Sequence, residues 1–427
     1  MLLLVFTSII TIKKVRLLFD KHSIFYTERK LMKVLWIAPY PNSKLSPELT
    51  ILRKKKSHDA SWIVNLSDEL AKNPEVELHI VVHYPYINKS QIINKNNITF
   101  HIIKYNFPFT HRGFPSILRL DIITLYYPLL NKIKSLIKKI KPDIIHVHGT
   151  EGGGGLIRRF THVPTLVSVQ GIIHKLVKYD FNIVNLLQIP VEYFIIMINE
   201  NFGCRTHWDK ATITKINSQA NIYYLPEAIN PVFFQTSWEN LDNNNIVFLG
   251  SLVRRKGIEL LIDCLAEIKK EIPKVKLKII GSGSPKYIDK LIQKLIKYSV
   301  YENVTFLGEM SAIEIATEFR TSNIFVLPTL IDNSPNSLLE AMALGIPCVA
   351  SNAGGISSLV DDGIDGLIFQ SEDKIDLTKK IINLLKNRDL QKKLSANAME
   401  RIRKNNFPAT VARITLEKYK EIVEKNV

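Results

Sequence analysis

Short runs of apolar residues alternate along the chain with longer stretches in which apolar residues recur at helical spacing. Strands that alternate with helix-length segments are typical of βαβ units, in which crossover helices join parallel strands. From Met32 onward the pattern therefore predicts an α/β protein built on parallel sheets. The predicted strands lie at 33–38, 76–82, 144–148, 165–169, 246–250, 276–280, 304–307, 324–327 and 347–350.

One stretch without any period divides the chain. Residues 226–244 contain Pro, Asn and acidic residues, and they predict a linker between a domain over 32–225 and a second domain over 245–407. Residues 408–427 have an amphipathic helical pattern, and we expect this helix to pack back on the first domain. A chain of 427 residues is long enough for two or three domains.

Residues 1–31 differ from the rest of the chain. The apolar run 1–12 is shorter than the ~20 residues that span a bilayer, and no clear signal-peptide cleavage site follows it. We interpret 1–31 as an extension that is either absent from the native protein or a weak membrane-surface anchor. The nearest later candidate for a membrane span, 181–197, is interrupted by Pro190, Glu192 and several polar residues.

The net charge of +17 is unevenly distributed. Residues 1–225 hold 30 Lys and Arg against 15 Asp and Glu, whereas the remainder holds 27 against 25. A basic half favours an anionic partner, either membrane headgroups or a lipid-phosphate acceptor, although a solvated basic surface explains the charge equally well. The sequence contains no zinc-finger spacing, RNA-binding signature or prominent helix-turn-helix pattern, so we predict no nucleic-acid partner.

The three cysteines, Cys204, Cys264 and Cys348, are far apart and lie in apolar surroundings. Their spacing fits neither a disulfide framework nor a metal cluster, which indicates a reducing compartment. We therefore expect a cytoplasmic protein, with the inner face of the cell membrane as a peripheral location.

The stretch 328–345 carries the most specific chemistry. A predicted strand leads into a polar loop that contains Asp332, and a helix that contains Glu340 follows, with Ser334 as its predicted N-cap and Pro335 at its first position. The free amides and the dipole at such a helix start attract anions. Ligands of open α/β sheets bind at the carboxyl ends of the strands, where this loop lies.

Two further strand ends add candidate ligand contacts. Lys256 follows the strand at 246–250 in a basic turn, which suits a diphosphate ligand but also suits a solvated surface. Gly281 and Gly283 follow the next strand and allow a close backbone approach. Lys286 stands where a dinucleotide fingerprint has its third glycine, so an NAD site is not indicated.

Together these residues resemble the retaining nucleotide-sugar glycosyltransferases of family 4, which have the GT-B fold. The donor-site signature of that family is a Glu, seven residues, and a second Glu in a Glu-Ala-Met-Ala helix; here it reads Asp332, seven residues, then Glu340-Ala341-Met342-Ala343. Residues 353–355 and 361–367 match the next loops of the family. The resemblance implies two Rossmann-like, doubly wound parallel-sheet domains that face each other across a cleft.

The resemblance also implies a role for each matching residue. Glu340 would bind the ribose hydroxyls, Asp332 would bind the transferred sugar, and Lys256, assisted by Arg255, would neutralise the diphosphate leaving group. It implies a UDP-, GDP- or ADP-sugar as substrate, with no metal and no cofactor. The remaining donor-binding positions that it implies are Ser251, Gly281, Gly283, Asn333, Ser334, Asn336 and Ser337.

The first domain supplies the predicted acceptor side of the cleft. Gln170 and Gly171 stand where family members often carry a His, and Arg205 and His148 are further candidate cleft residues. Gln170 is equally well explained as an ordinary loop residue. We expect the rings of His146 and His148 to face opposite ways, so that they share no metal.

The predicted function is transfer of a sugar from a nucleotide sugar to a glycan or lipid-linked acceptor, with retention of the anomeric configuration, in cell-surface polysaccharide synthesis. Asp332 is shorter by one methylene than the usual Glu. Ser251 replaces a second phosphate-binding Arg, and Gln170 replaces the His. These departures leave open a catalytically impaired nucleotide-sugar-binding subunit, and the fold leaves open a GT-B epimerase.

Overall fold

The computed structural model describes residues 31–41, 44–45, 61–84, 87–105 and 120–426. Residues 1–30 of the predicted amino-terminal extension lie outside this set. The strands are β1 (Met32–Ile37), β2 (Val76–Tyr84), β3 (Gln91–Lys95), β4 (Ile98–Lys104), β5 (Ile144–His148), β6 (Thr165–Ser168), β7 (Asn201–Cys204), β8 (Asn221–Tyr224), β9 (Asn245–Leu249), β10 (Lys276–Ile280), β11 (Val304–Gly308), β12 (Ile324–Leu327), β13 (Cys348–Ser351) and β14 (Leu367–Phe369). The α-helices are α1 (Ser61–Leu70), α2 (Leu120–Ile123), α3 (Tyr127–Ile140), α4 (Ile173–Leu176), α5 (Ile183–Ile198), α6 (His207–Ile216), α7 (Ile258–Glu271), α8 (Pro285–Lys297), α9 (Ala312–Arg320), α10 (Asn336–Leu344), α11 (Lys374–Lys386), α12 (Arg388–Asn406) and α13 (Pro408–Glu424).

The first eight strands form one sheet, in the order β3-β4-β2-β1-β5-β6-β7-β8. Strand β3 is antiparallel to β4, whereas the other neighbouring pairs of this sheet are parallel. The order of the strands reverses at β1, which lies between β2 and β5. The sequence pattern does not predict β3, which lies at the sheet edge and is mostly exposed.

The remaining strands form a second, wholly parallel sheet in the order β11-β10-β9-β12-β13-β14. The order reverses between β9 and β12, where Ile246 lies opposite Ile324. Such a switch point in an open α/β sheet leaves a crevice at the carboxyl ends of its two strands, and ligands bind there. The two sheets confirm the predicted α/β architecture of two doubly wound domains.

Burial on both faces of the sheets explains the continuous apolar runs of the strands. In β1, Val34 and Trp36 belong to the core on one face and Leu35 to the core on the other, and all three are fully buried. In β9, Phe248 and Val247 divide in the same way. Helices that cover both faces of a parallel sheet require this composition in the inner strands, because neither face of an inner strand meets water.

The last helix, α13, packs on the first sheet although it follows the second sheet in sequence. Leu416 and Tyr419 belong to the core of the first domain. The Tyr419 hydroxyl accepts a hydrogen bond from Trp36 Nε1 at 2.9 Å, and Lys420 forms an ion pair with Glu75 at 2.8 Å. The chain therefore crosses between the domains twice.

The two crossing segments lie side by side. The Ile229 amide donates to the Asn406 carbonyl at 3.1 Å, and the Asn406 side chain donates to the Glu227 carbonyl at 2.9 Å. Phe233, within the predicted linker, is fully buried in the core of the second domain. Part of the predicted linker 226–244 is therefore packed against the rest of the chain.

Helix α5 coincides with the apolar stretch that the sequence offered as the nearest candidate span. Pro190 lies inside this helix, and Glu192 is buried on its packed face. Within the part of the chain that the structure describes, no helix has both the length and the apolar character needed to cross a bilayer.

Candidate active site

The switch point of the second sheet brings a cationic turn and an acidic loop together. Strand β9 leads into the 3₁₀ turn Arg254–Lys256, and β12 leads into the loop that holds Asp332. Lys256 Nζ lies 2.5 Å from Asp332 Oδ2, and Arg255 Nη1 lies 3.9 Å from the same oxygen. These side chains are 12% to 25% exposed. The cluster is therefore largely shielded from water but remains reachable by a ligand.

Backbone contacts hold these two loops against each other. The carbonyl oxygen of Arg255 accepts a hydrogen bond from the Leu330 amide at 2.8 Å. Gly257 follows the turn with a φ of 71°, and a Cβ there would lie 1.7 Å from the Pro328 carbonyl oxygen. Only glycine permits both this conformation and this approach. The glycine is therefore needed to keep the lysine beside the acidic loop.

Gly281 and Gly283 occupy the loop after β10, which lies beside the loop after β9. A Cβ at Gly281 would lie 2.0 Å from the Gly250 carbonyl oxygen, and a Cβ at Gly283 would lie 2.5 Å from the Leu252 carbonyl oxygen. Ser251 lies between these two contacts and is partly exposed. Packing between the loops accounts for both glycines, and their contact with a donor stays a prediction.

Helix α10 begins at Asn336. Pro335 has an extended backbone, with φ −69° and ψ 115°, and its carbonyl accepts a hydrogen bond from the Leu338 amide at 3.0 Å, so Pro335 itself is the cap residue. The prediction of Ser334 as the cap is therefore wrong by one residue, because the backbone of Pro335 is not helical. Ser334, Asn336 and Ser337 are partly exposed, and the Asn336 Oδ1 atom has no partner among the described residues.

Glu340 lies on α10 and is partly exposed. Burial of the surrounding region raises the pKa of its carboxyl to about 7, with no ion pair or hydrogen bond from the described residues to lower it. A desolvated carboxylate without a donor carries an energetic penalty that the hydroxyl groups of a ligand can relieve. Such a carboxylate suits hydrogen bonds from ligand hydroxyl groups, and the contact of Glu340 with a ribose stays a prediction.

The side chain of Asn333 crosses to the first domain. Its Nδ2 donates to Asp209 Oδ2 at 3.0 Å and lies 3.4 Å from the Gln170 carbonyl oxygen, while its Oδ1 accepts from the Thr206 hydroxyl at 2.7 Å. Asn333 is only 4% exposed. Asn333, which follows Asp332 in the chain, therefore joins the two domains, a role that the sequence does not predict.

Arg205 follows β7 and is buried together with a carboxylate. Its Nε lies 2.6 Å from Glu227 Oε1, and the two side chains are 6% and 7% exposed. Burial raises the pKa of the Glu227 carboxyl, and the charge of Arg205 opposes that rise. The Arg205 amide donates to Asp209 Oδ2 at 2.9 Å. This candidate cleft residue is therefore paired inside the protein, beside the interdomain contact.

His146 and His148 lie on the same face of β5. Their ring centroids are 4.0 Å apart, and the His148 ring lies 4.4 Å from that of Trp36. The expectation that the rings face opposite ways is wrong, because alternation along a strand places residues i and i+2 on one face. His146 lies 2.5 Å from the Tyr419 hydroxyl and 2.6 Å from that of Ser168. Burial lowers the pKa of both imidazoles.

The loops after β5 and β6 place an acidic residue beside Gln170 and Gly171. Glu151 Oε1 accepts a hydrogen bond from the Gly171 amide at 2.9 Å, and burial raises the pKa of the Glu151 carboxyl to about 7. The Nε2 atom of Gln170 is buried and has no partner among the described residues. Glu151 is not among the site residues that the sequence predicts. Its position in a glycine-rich run directly after a buried strand is the signal that identifies it.

Solved structures share this two-domain architecture. Sucrose-phosphate synthase from Thermosynechococcus elongatus superimposes with a TM-score of 0.73 at 19% identity, over 92% of this chain and 100% of that chain. The Anabaena protein HepE, solved with UDP and glucose, gives a TM-score of 0.67 at 15% identity, over 91% of this chain and 100% of that chain. At these identities the likeness shows the fold, which is the GT-B fold of two-domain glycosyltransferases.

Sequence comparison then identifies the family. The family model of glycosyl transferases group 1 matches residues 231–401, and the glycosyl transferase 4-like model matches residues 57–188. An uncharacterized glycosyltransferase of Methanocaldococcus jannaschii is 26% identical over 343 residues, which are 75% of this chain and 91% of that protein. The chain belongs to the group 1 glycosyltransferases, and the predicted resemblance to family 4 is confirmed.

Proposed function

We propose that this glycosyltransferase moves a sugar from a nucleotide-sugar donor to a hydroxyl group of a glycan or lipid-linked acceptor, with retention of the anomeric configuration. The observation that carries the proposal is the ion pair of Lys256 and Asp332 at the switch point of the second sheet. The adjoining helix adds the carboxylate of Glu340, whose pKa is raised to about 7 by burial. These three side chains form the proposed donor site.

Lys256 is the proposed ligand of the donor diphosphate. Its ammonium group and the Arg255 guanidinium lie 2.5 Å and 3.9 Å from one oxygen of Asp332, so two cations share a single carboxylate. A diphosphate carries more negative charge than a carboxylate and can draw Lys256 away from Asp332. Positive charge at the place where the leaving group gains negative charge stabilises the transition state more than the ground state.

In the proposed reaction, the bond between the anomeric carbon and the diphosphate oxygen breaks. The acceptor oxygen forms its bond to the anomeric carbon on the same face of the sugar, and the acceptor proton passes to the departing diphosphate. Asp332, released from Lys256, accepts hydrogen bonds from hydroxyl groups of the transferred sugar, while Glu340 accepts those of the ribose. Lys256 and the amides at the start of α10 supply the positive field without a metal.

The proposed acceptor follows from the charge of the first domain. Residues 1–225 carry a net charge of +15, which favours an anionic acceptor such as a sugar linked to a lipid phosphate. Such acceptors occur in the synthesis of cell-surface polysaccharides, which is the proposed process. The neighbour HepE, solved with UDP and glucose, supports a UDP-sugar as the first donor to test.

A thermal-shift experiment with UDP-, GDP- and ADP-glucose in EDTA tests the donor site. A ligand that binds only the folded state raises the unfolding temperature, and we expect this for one of the three nucleotides. Glu340→Gln should remove most of the shift. The control is Glu302→Gln, which should keep the full shift. Glu302 is an exposed carboxylate just before β11, at the amino ends of the strands and so away from the proposed site. Equal shifts in the two variants would contradict the proposed site.

Product analysis tests the stereochemistry and the metal-free mechanism. The nuclear magnetic resonance coupling of the anomeric proton should show the donor configuration in the product, and transfer should proceed in EDTA. Inversion of that configuration, or complete dependence on added Mg²⁺, would refute the corresponding part of the proposal. Release of an epimerised sugar nucleotide without an acceptor would favour an epimerase instead.

A further inference from the structure

Helix α5 has an exposed apolar face in addition to the face that packs on the first sheet. Its buried side includes Val191, Ile195 and Ile196. The exposed apolar face consists of Phe181, Ile183, Leu186, Leu187, Tyr193 and Met197, which are 74%, 44%, 44%, 37%, 38% and 58% exposed. Single exposed apolar side chains are ordinary on protein surfaces, but a group of this size marks an interaction site.

The members of this face that belong to α5 share one side of the helix. At 100° per residue, Ile183, Leu186, Leu187, Tyr193 and Met197 fall within about a third of the helix circumference. Phe181 precedes the helix next to the cap residue Asn182 and has the largest exposed fraction of the set. Because the opposite side of α5 is buried, the helix is apolar on two sides and covered on one.

The neighbours of α5 in the helical layer carry exposed cations. Helices α3 and α5 both contact the turn 154–160, and α4 contacts α5. The exposed cations on and beside these neighbours, on the side of α3 that faces the turn 154–160, are Lys138, Arg159, Lys175 and Lys178. The exposed acids of the same layer are Asp180 and Glu200, and Glu200 is paired with Arg158 at 3.0 Å. Positive charge therefore predominates around the apolar face.

We propose that the exposed apolar face and its surrounding cations dock the first domain on an anionic lipid bilayer, with α5 lying in the plane of the interface. Interfacial helices bury apolar side chains at the boundary of headgroups and acyl chains, while Lys and Arg contact anionic headgroups. A symmetric contact with a second copy is less favourable, because a two-fold axis brings the same cations of both copies together.

The same helix is connected to the acceptor side of the cleft. Glu192, on the buried side of α5, accepts hydrogen bonds from the Ile173 amide at 2.8 Å, the His174 amide at 3.1 Å and the Thr150 hydroxyl at 3.1 Å. Thr150 lies in the loop after β5, and Ile173 and His174 begin α4, which follows the loop after β6. Docking through α5 thus holds the acceptor loops close to the bilayer and favours a lipid-linked acceptor. This last step rests on the proposed function, whereas the docking itself does not.

Cosedimentation of the full chain with vesicles tests the docking. We expect binding to vesicles of phosphatidylcholine mixed with phosphatidylglycerol, little binding to phosphatidylcholine alone, and weaker binding at high salt, because salt screens the headgroup charge. A triple substitution of Phe181→Ser, Leu186→Ser and Leu187→Ser should lower the partition coefficient by at least about tenfold.

A matched control substitutes three apolar side chains on the second domain. Ile313, Ile364 and Ile375 are 69%, 54% and 66% exposed, and their replacement by Ser should leave vesicle binding unchanged. The thermal-unfolding midpoint of both triple variants should match that of the unsubstituted chain, since the altered side chains are exposed. If the unfolding midpoint falls only in the triple variant of Phe181, Leu186 and Leu187, the proposal is overturned, because the fall would show that this face is covered within the chain.

The remaining outcomes also decide the proposal. Absence of binding to phosphatidylglycerol vesicles, or equal loss in both triple variants, would overturn it. Sedimentation velocity reports self-association. If the Phe181, Leu186 and Leu187 triple variant loses self-association and keeps its vesicle binding, the face belongs to a contact with a second copy and the proposal is overturned. Vesicle binding is measured without nucleotide or acceptor, so failure of docking is distinguished from failure of the proposed donor site, which the thermal shift reports.

Discussion

Asn333→Asp places a second carboxylate in the contact between the two domains. Asn333 donates to Asp209 Oδ2 at 3.0 Å, accepts from Thr206 at 2.7 Å and is 4% exposed. The substitution preserves the shape of the side chain and the acceptor toward Thr206, but it replaces the donor toward Asp209 with an oxygen. Two buried carboxylates then face each other across the interface.

The expected magnitude follows from the distance between the two groups. Two unit charges 3.0 Å apart at an effective dielectric constant of about 20 repel each other by about 5 to 6 kcal/mol. Protonation of one carboxyl avoids this repulsion and costs about 4 kcal/mol near pH 7, because the ordinary pKa of Asp is about 3.9. Asn333→Ala loses hydrogen bonds without adding charge and should cost about 1 to 3 kcal/mol. We therefore expect Asn333→Asp to lower the free energy of unfolding near pH 7 by up to about 4 kcal/mol.

The difference between the two variants depends on pH. Asp209 raises the pKa of the introduced carboxyl in the folded protein, whereas the unfolded chain keeps the ordinary value. Between these two pKa values the folded state binds one proton more than the unfolded state. The free energy of unfolding of Asn333→Asp therefore falls as the pH rises, by about 1.4 kcal/mol per pH unit. Below about pH 4 both states are protonated and the penalty is absent.

Urea unfolding of the unsubstituted chain and both variants, from about pH 5 to about pH 8, measures this difference. Small-angle X-ray scattering reports whether the domains separate. We expect Asn333→Asp to lose stability relative to Asn333→Ala as the pH rises, and to have the larger radius of gyration at the upper end. If the two variants share one pH dependence and one radius, the opposition of Asn333 and Asp209 across the interface is refuted.

Three further predictions remain: two concern buried charged groups, and one concerns a buried hydroxyl. Glu340→Gln should raise the free energy of unfolding above pH 7, by up to about 3 kcal/mol, because the folded pKa of about 7 lies above the ordinary value of 4.5 and the ionised carboxylate is disfavoured in the folded state. Urea unfolding should show that this gain decreases as the pH falls through 7 and disappears near pH 4.5. A gain that does not change with pH would contradict burial of the carboxylate as its cause. Tyr419→Phe removes the hydroxyl that accepts from the Trp36 indole N–H and contacts His146, and it should cost about 1 to 3 kcal/mol in thermal unfolding, whereas an unchanged midpoint would show that these two contacts together contribute nothing. Arg205→Met and Glu227→Gln should each cost about 3 to 5 kcal/mol, because each leaves its partner buried without a counter-charge, while the double variant should cost less than the sum; additive losses in the double-mutant cycle would argue against a direct pair.

The ends of the strands in the second domain were predictable because the rules that place them act at short range. Alternation of strands with crossover helices defines a parallel sheet, and the carboxyl ends of parallel strands lie at one edge. These rules bring Lys256 and Asp332 to the same edge. The strand order, which places β9 directly beside β12, depends on side-by-side pairing and had to be read from the structure.

Contacts between residues far apart in sequence were not predictable from a single chain. Trp36 and Tyr419 are 383 positions apart, yet they share a buried hydrogen bond. Asn333 and Asp209 are 124 positions apart and join the two domains. No local pattern distinguishes such a polar residue from a solvated one, because its partner is supplied by another part of the fold.

The class of fold, the two-domain organisation and the motif of the glycosyltransferase family are all predictable from the amino-acid sequence. They are predictable because periodicity, glycine positions and motif spacing act through backbone geometry over a few residues. Three features become visible only in the folded molecule: the side chains that face each other across the domains, the cation that pairs with Asp332, and the exposed side of α5. Those features arise from burial and from pairing over long sequence separations, which the packing of complete domains creates.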